Sequence, residues 1–173
     1  VLGMSIMLYV GCMDDIMGLS PKARFLIEIL VILGLIYSSG ISVDSLHGLW
    51  GIDEIPSVVA VPLTIFAGVG IINAINMVDG VNGLSSGLCI TCSMLFGLQF
   101  FCIGDYVNAV LAFSIASSLF LFFIHNVFGN QSRMFIGDAG TMVMGVLMTW
   151  FVMCSMHDAG RGMILDYAYC PTA

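Results

Sequence analysis

The chain has 173 residues, 60% of them hydrophobic and 9% charged, and its mean hydropathy is +1.08. These values exclude an ordinary soluble domain and point to a single multi-span membrane domain. Four basic residues (Lys22, Arg24, Arg133 and Arg161) face 11 acidic ones, for a net charge of −7, so no basic surface for nucleic acid is available.

The chain opens on Val1 with no signal-peptide pattern, and we expect a segment of a longer protein that starts inside a helix. Residues 1–11 read as the tail of an apolar helix. Residues 12–23 (CMDDIMGLSPKA) read as a polar loop in which Ser20-Pro21 suits a helix start. Residues 24–39 form a short span, with Arg24 and Glu28 one turn apart at its entry and able to pair. Residues 40–57 (GISVDSLHGLWGIDEIPS) place Gly, Asp, Trp and Pro at short intervals, which predicts a small hairpin or interfacial loop. Spans follow over 58–78, 84–103 and 107–127, the last two joined by a tight turn at Gly104-Asp105. Residues 128–138 form a loop and 139–156 a final span. Full runs of about 18–21 residues suffice to cross roughly 30 Å of hydrocarbon. The expected fold is an all-α polytopic bundle of about five complete spans plus a partial first one. Residues 1–157 belong to one transmembrane domain, and 158–173 form an unassigned tail.

An even number of spans separates loop 12–23 from loop 128–138, so both face one side, together with the turn at 79–83. Lys22, Arg24 and Arg133 lie on that side, which the positive-inside rule makes cytoplasmic. The loop at 40–57 is then non-cytoplasmic. Arg161, beyond the last span, is the exception.

Carboxylates at a bilayer boundary are costly unless solvated, paired or bound to a cation, and here they fall in three clusters on that one side. Asp14-Asp15 is an adjacent pair whose mutual repulsion suits either a magnesium ligand set or a carboxylate kept basic for proton abstraction; a solvated loop or helix cap is the plain alternative. Asn73, Asn76 and Asp79 recur at three-residue intervals, so a helix reaching 79 stacks them on one face, and Gly80 and Gly83 allow close backbone approach to a ligand. Arg133, Phe135, Gly137, Asp138, Gly140 and Thr141 form the third cluster. A carboxylate beside exposed amides at a helix start can hold magnesium and an anion together, or simply cap the helix. His125 reads as a buried, satisfied histidine. Asp44, Asp53, Glu54 and Asp105 read as solvated loop charges. Cys89 and Cys92 lie in an apolar span without a second ligand pair and read as small packing residues.

The three motifs MDDIMGLSPKAR, NAINMVDGVNGL and RMFIGDAGT, in this order and alternating with spans, resemble the bacterial polyprenyl-phosphate hexosamine-1-phosphate transferases. NMVDG and FIGDAG look more like the N-acetylglucosamine-1-phosphate branch than the phospho-MurNAc-pentapeptide branch. The resemblance implies a bacterial inner-membrane enzyme working at the cytoplasmic face, with magnesium or manganese, on a UDP-sugar and undecaprenyl phosphate. It admits a homodimer and involves no nucleic acid. It implies metal binding and deprotonation of the lipid phosphate for Asp14 and Asp15, a catalytic or metal role for Asp79 with Asn76 as companion amide, and a magnesium-ligand role for Asp138. Phe135 falls where an aromatic packs on uracil, and Lys22 and Arg133 where bases meet phosphate oxygens. Asn82 departs from the family's usual aspartate; it keeps an acceptor for a nucleotide but loses the charge a metal needs. The downstream His-rich loop of the family is absent from this stretch. Two rival readings are an ion-coupled transporter, which mid-bilayer acids or repeats would favour, and a non-catalytic remnant.

Overall fold

The computed structural model describes residues 1–46, 54–81, 83–129 and 136–169, with 158–169 as backbone. Six helices run in order: α1 (Leu2–Met17), α2 (Pro21–Ser39), α3 (Ser57–Val78), α4 (Leu84–Ile103), α5 (Tyr106–Phe128) and α6 (Gly137–Tyr169). The fold is all-α and polytopic, as expected. Local chemistry sets the boundaries. Gly18, at φ 65°, takes the left-handed conformation that ends α1, and its N–H donates to the Asp14 carbonyl. Ser20 then caps α2 by accepting from the Ala23 amide, with Pro21 just inside the helix. Asp105 caps α5 by accepting from the Asn108 amide at 3.2 Å, so it is a helix cap and not a free loop charge.

Among the described residues, four helices are long and apolar enough to cross a membrane: Ser57–Val78, Leu84–Ile103, Tyr106–Phe128 and Gly137–His157. That is one fewer than the five complete spans expected. The difference is α2, whose 19 residues include Lys22, Arg24 and Glu28. Two further boundaries move. Asp14 and Asp15 occupy the last turn of α1 and not a loop, because apolar periodicity carries the helix through to Met17. The last span begins at Gly137, two residues early, and its helix continues through the expected tail to Tyr169.

The central element is α6. Buried residues make up 61% of its apolar window, against 22–33% for the other three spans. It packs on α1, α3 and α4, while α5 pairs with α4 at the periphery and α2 lies against α3 and α1. Phe96, Phe100 and Phe151 join α4 to α6 with ring centroids 5.8–6.3 Å apart. Two close approaches draw the helices together. A Cβ at Gly11 would fall 2.3 Å from Ala139 Cα, and one at Gly145 would fall 2.6 Å from Ile72 Cα. Glycine is thus the residue that lets α1 and α3 lie directly on α6.

Of the segment expected to be a small hairpin or interfacial loop, residues 47–53 lie outside the described residues, and its described ends pair with each other. Ser45 and Glu54 form an isolated antiparallel bridge, and the Ile55 amide donates to the Asp44 carbonyl at 2.8 Å. The buried Thr64 hydroxyl accepts from the Val43 amide at 2.9 Å and ties this segment to α3. At the same end, Trp150 Nε1 donates to Asn108 Oδ1 at 3.0 Å, and Ser155 donates to Gln99 Oε1 at 2.9 Å.

Candidate functional site

The opposite end of the bundle carries the acids. The C-termini of α1 and α3 and the N-termini of α2 and α6 meet there, and their polar side chains cross-link the helices. Both carboxylate oxygens of Asp15 accept backbone amides at the start of α6: Oδ1 from Asp138 at 3.0 Å and Oδ2 from Ala139 at 3.3 Å. Asp15 therefore caps a helix far away in sequence, where an anion also complements the positive end of the helix. The contact depends on Gly11, one turn earlier, which brings α1 onto α6. Gly137, at φ 77°, completes the fit; a Cβ there would sit 3.2 Å from Asp15 Oδ2.

Asp79 is buried, 8% exposed. It accepts from the Ser85 hydroxyl through Oδ1 and from the Gly137 amide at 3.2 Å through Oδ2. It thus joins the end of α3, the start of α4 and the start of α6. One turn earlier, Asn76 Oδ1 accepts from the fully buried Thr141 hydroxyl at 2.7 Å. The Asp138 carboxylate lies beside the Asn76 side-chain amide. Asp138 also lies within electrostatic range of Arg24, Asp14 and Asp15.

Asp14 turns the other way, toward α2. Its Oδ1 accepts from the Leu19 amide at 2.7 Å, and its Oδ2 pairs with Arg24 Nη1 at 3.0 Å. Arg24 Nε donates to Glu28 at 3.4 Å, the pair expected from their spacing. Arg24 Nη2 reaches Asn73 Oδ1 at 3.4 Å. Asn73 Nδ2 donates to Glu28 Oε2 and to the Val69 carbonyl. The expected single face of Asn73, Asn76 and Asp79 is therefore divided. Asn73 serves the α2 side, and Asn76 and Asp79 serve α6, since three-residue steps drift around a helix of 3.6 residues per turn.

Asp14, Asp15, Asp79, Asn76 and Asp138 thus converge on one end. Lys22 lies at that end too, exposed on the first turn of α2 and in neither ion pair of the described residues. Asn82, Arg133 and Phe135 lie outside the described residues. Among the described residues, no group of three or more His, Cys, Asp and Glu side chains is arranged to hold a metal. The carboxylates are divided between helix amides, Ser85 and Arg24. Cys89 is buried within the α3–α4–α6 core, in keeping with a packing role. His125 is exposed, contrary to the burial expected of it, and its neighbour Asn126 points inward, with no hydrogen-bond partner for Oδ1 among the described residues. Helix phase at the end of α5 could have told the two apart only with the packing direction known. Ser85 had no sequence signal, because its six-residue offset from Asp79 crosses a turn.

Residues 1–156 match the profile of glycosyl transferase family 4. Among curated proteins, the chain is 27% identical over 151 residues to the undecaprenyl-phosphate alpha-N-acetylglucosaminyl 1-phosphate transferase of Yersinia pestis, covering 86% of this chain and 41% of that protein. The enzyme of the same name from Escherichia coli K12 is 27% identical over 155 residues, with the same coverage. The phospho-N-acetylmuramoyl-pentapeptide-transferase of Staphylococcus carnosus is 31% identical over 135 residues, covering 74% of this chain and 41% of that protein. The chain spans about two fifths of the length of these relatives. A match that takes in all six helices as far as residue 156 shows that this chain belongs to glycosyl transferase family 4.

Proposed function

We propose that the protein containing this chain transfers a sugar 1-phosphate, N-acetylglucosamine 1-phosphate in our reading, from a UDP-sugar to undecaprenyl phosphate with release of UMP. The observation that carries the proposal is the meeting of Asp14, Asp15, Asp79 and Asp138 at one end of a membrane bundle, with Arg24 among them. An acidic cluster at a membrane surface suits two anionic substrates only if cations belong to it. The site lies beside Lys22 and Arg24, so the positive-inside rule favours the cytoplasmic face of a bacterial inner membrane.

The donor set fits magnesium in part. Every donor at the site is a hard oxygen, and magnesium commonly takes one or two carboxylates, several waters and substrate phosphates. Asp138 is the foremost candidate. Its carboxylate meets Asn76, whereas Asp15 and Asp79 already use both oxygens on protein donors and could add only a remaining lone pair. Bound there, the ion would draw charge off the phosphate oxygens. Asn76 would orient the Asp138 carboxylate and Asp15 would hold the start of α6 in place, while Asp14, its two oxygens on the Leu19 amide and Arg24, could take a proton from the lipid phosphate only through a remaining lone pair.

The test uses the intact membrane protein in detergent or nanodiscs, supplied with undecaprenyl phosphate and a panel of UDP-sugars. UMP release with UDP-GlcNAc, abolished by a chelator and restored by magnesium or manganese, is the expected result. Turnover only with the UDP-MurNAc-pentapeptide would move the protein to the other branch. No release with any donor would remove the proposal.

A further inference from the structure

Glu28 is 0% exposed, a carboxylate buried alongside Val31 and Ile32 on the inner face of an otherwise largely exposed α2. Burying such a group is costly, and an apolar side chain of similar volume is often neutral or stabilising in its place. Among the described residues the hydrogen-bond partners of Glu28 are Arg24 and Asn73, not the acids at the mouth of the site. Its two oxygens instead have separate tasks: Oε1 accepts Arg24 Nε and Oε2 accepts Asn73 Nδ2. Asn73 is itself fixed, because Nδ2 also donates to the Val69 carbonyl at 2.9 Å, which leaves Oδ1 facing Arg24. The guanidinium plane is thus held from behind at Nε and Nη2, and Nη1 is the nitrogen presented to Asp14. Arg24 retains 19% side-chain exposure, so it is partly open to solvent although three of its contacts are fixed by Glu28, Asn73 and Asp14.

We propose that Glu28 is a positioning residue: through Arg24 and Asn73 it fixes the orientation of Asp14 across the junction of α1, α2 and α3. The inference rests on the transferase reading above. An arginine with a long flexible stem would otherwise share its charge among Asp14 and the other nearby acids. The Glu28–Asn73 clamp selects one arrangement before substrate arrives. Misplacement of a reacting group by about 1 Å can lower a rate about 100-fold without changing any contact to substrate.

The test uses the intact, full-length protein and reads kcat and KM on the folded, monodisperse fraction, so that lower yield does not enter the rate. Unmodified protein that releases no UMP from any UDP-sugar removes the transferase reading itself. Given activity, Glu28→Gln, which keeps the volume but makes one acceptor into a donor, is expected to lower kcat about 10- to 100-fold. KM for the UDP-sugar should stay within about threefold. Combined with Arg24→Lys, the loss should be far less than the product of the two single losses, because both act through the same guanidinium. If Glu28→Gln retains unmodified kcat, or the two losses multiply, Glu28 is only a packing ion pair and the proposal is overturned. Should Glu28→Gln fail to fold, Asn73→Ala tests the same clamp from α3 with the same expected split.

Discussion

Asp15 accepts the backbone amides of Asp138 and Ala139 at 3.0 and 3.3 Å, across a sequence separation of 123 residues to the first of them. One carboxylate of the adjacent pair is therefore spent on a helix start, while its neighbour Asp14 faces Arg24. Successive residues on a helix point about 100° apart, so a pair that looks like one ligand set serves two different helix junctions.

That division separates the effects of the two aspartates. Asp15→Ala should cost about 0.5–2 kcal/mol of stability, the usual range for a lost N-cap. Asp15→Asn keeps an acceptor and should recover most of it. Thermal unfolding in detergent distinguishes them; equal melting temperatures for Asp15→Ala and the unmodified protein would show that the cap contributes nothing.

The α1–α6 crossing predicts a contrast between glycines. Gly11→Ala places a methyl 2.3 Å from Ala139 Cα and must push the helices apart, at a cost of about 1–3 kcal/mol. Gly34→Ala meets nothing within 4 Å and should be neutral or gain up to about 1 kcal/mol of helix propensity. The same melting experiment measures both. Gly11→Ala should also reduce UMP release, since it moves Asp15 off the α6 amides.

If Asp138 holds magnesium, Asp138→Asn should remove most transfer activity, because a neutral amide is a poor ligand for a hard cation. Asn76→Ala, which frees the Asp138 carboxylate from its orienting partner, should weaken magnesium affinity by about 10- to 100-fold, the usual scale for such partners. A magnesium titration of UMP release reads both. Unmodified release by Asp138→Asn would reduce Asp138 to a helix-start residue.

Asn82 follows Asp79 and Gly80 in the sequence, and an amide can both donate to and accept from a uracil edge. Asn82→Asp should therefore shift KM for the UDP-sugar by roughly 2- to 10-fold, the scale of one hydrogen bond of about 0.5–1.5 kcal/mol. The magnesium dependence should stay as it was. A large rise in kcat with a steeper magnesium dependence would instead mean that this chain carries a lost catalytic carboxylate.

The sequence by itself determined the class of fold, the membrane setting and the helix limits near Ser20-Pro21 and Gly104-Asp105. Long apolar runs admit only a helix in hydrocarbon, where backbone groups must pair within the segment, and caps act within one turn of their own residue. It also placed three acidic motifs at one end, since an even number of helices, α2 to α5, runs between the first motif and the last. It left unsettled what each carboxylate touches. Whether Asp15 meets a metal or the Asp138 amide depends on how closely α1 crosses α6. That distance is set by a glycine opposite an alanine, a contact between helices distant in the chain. The burial of Glu28, the turn of Asn73 toward α2 and the reach of Ser85 to Asp79 were likewise decided by packing. Periodicity says which residues share a helix face. Only the assembled bundle says what that face meets.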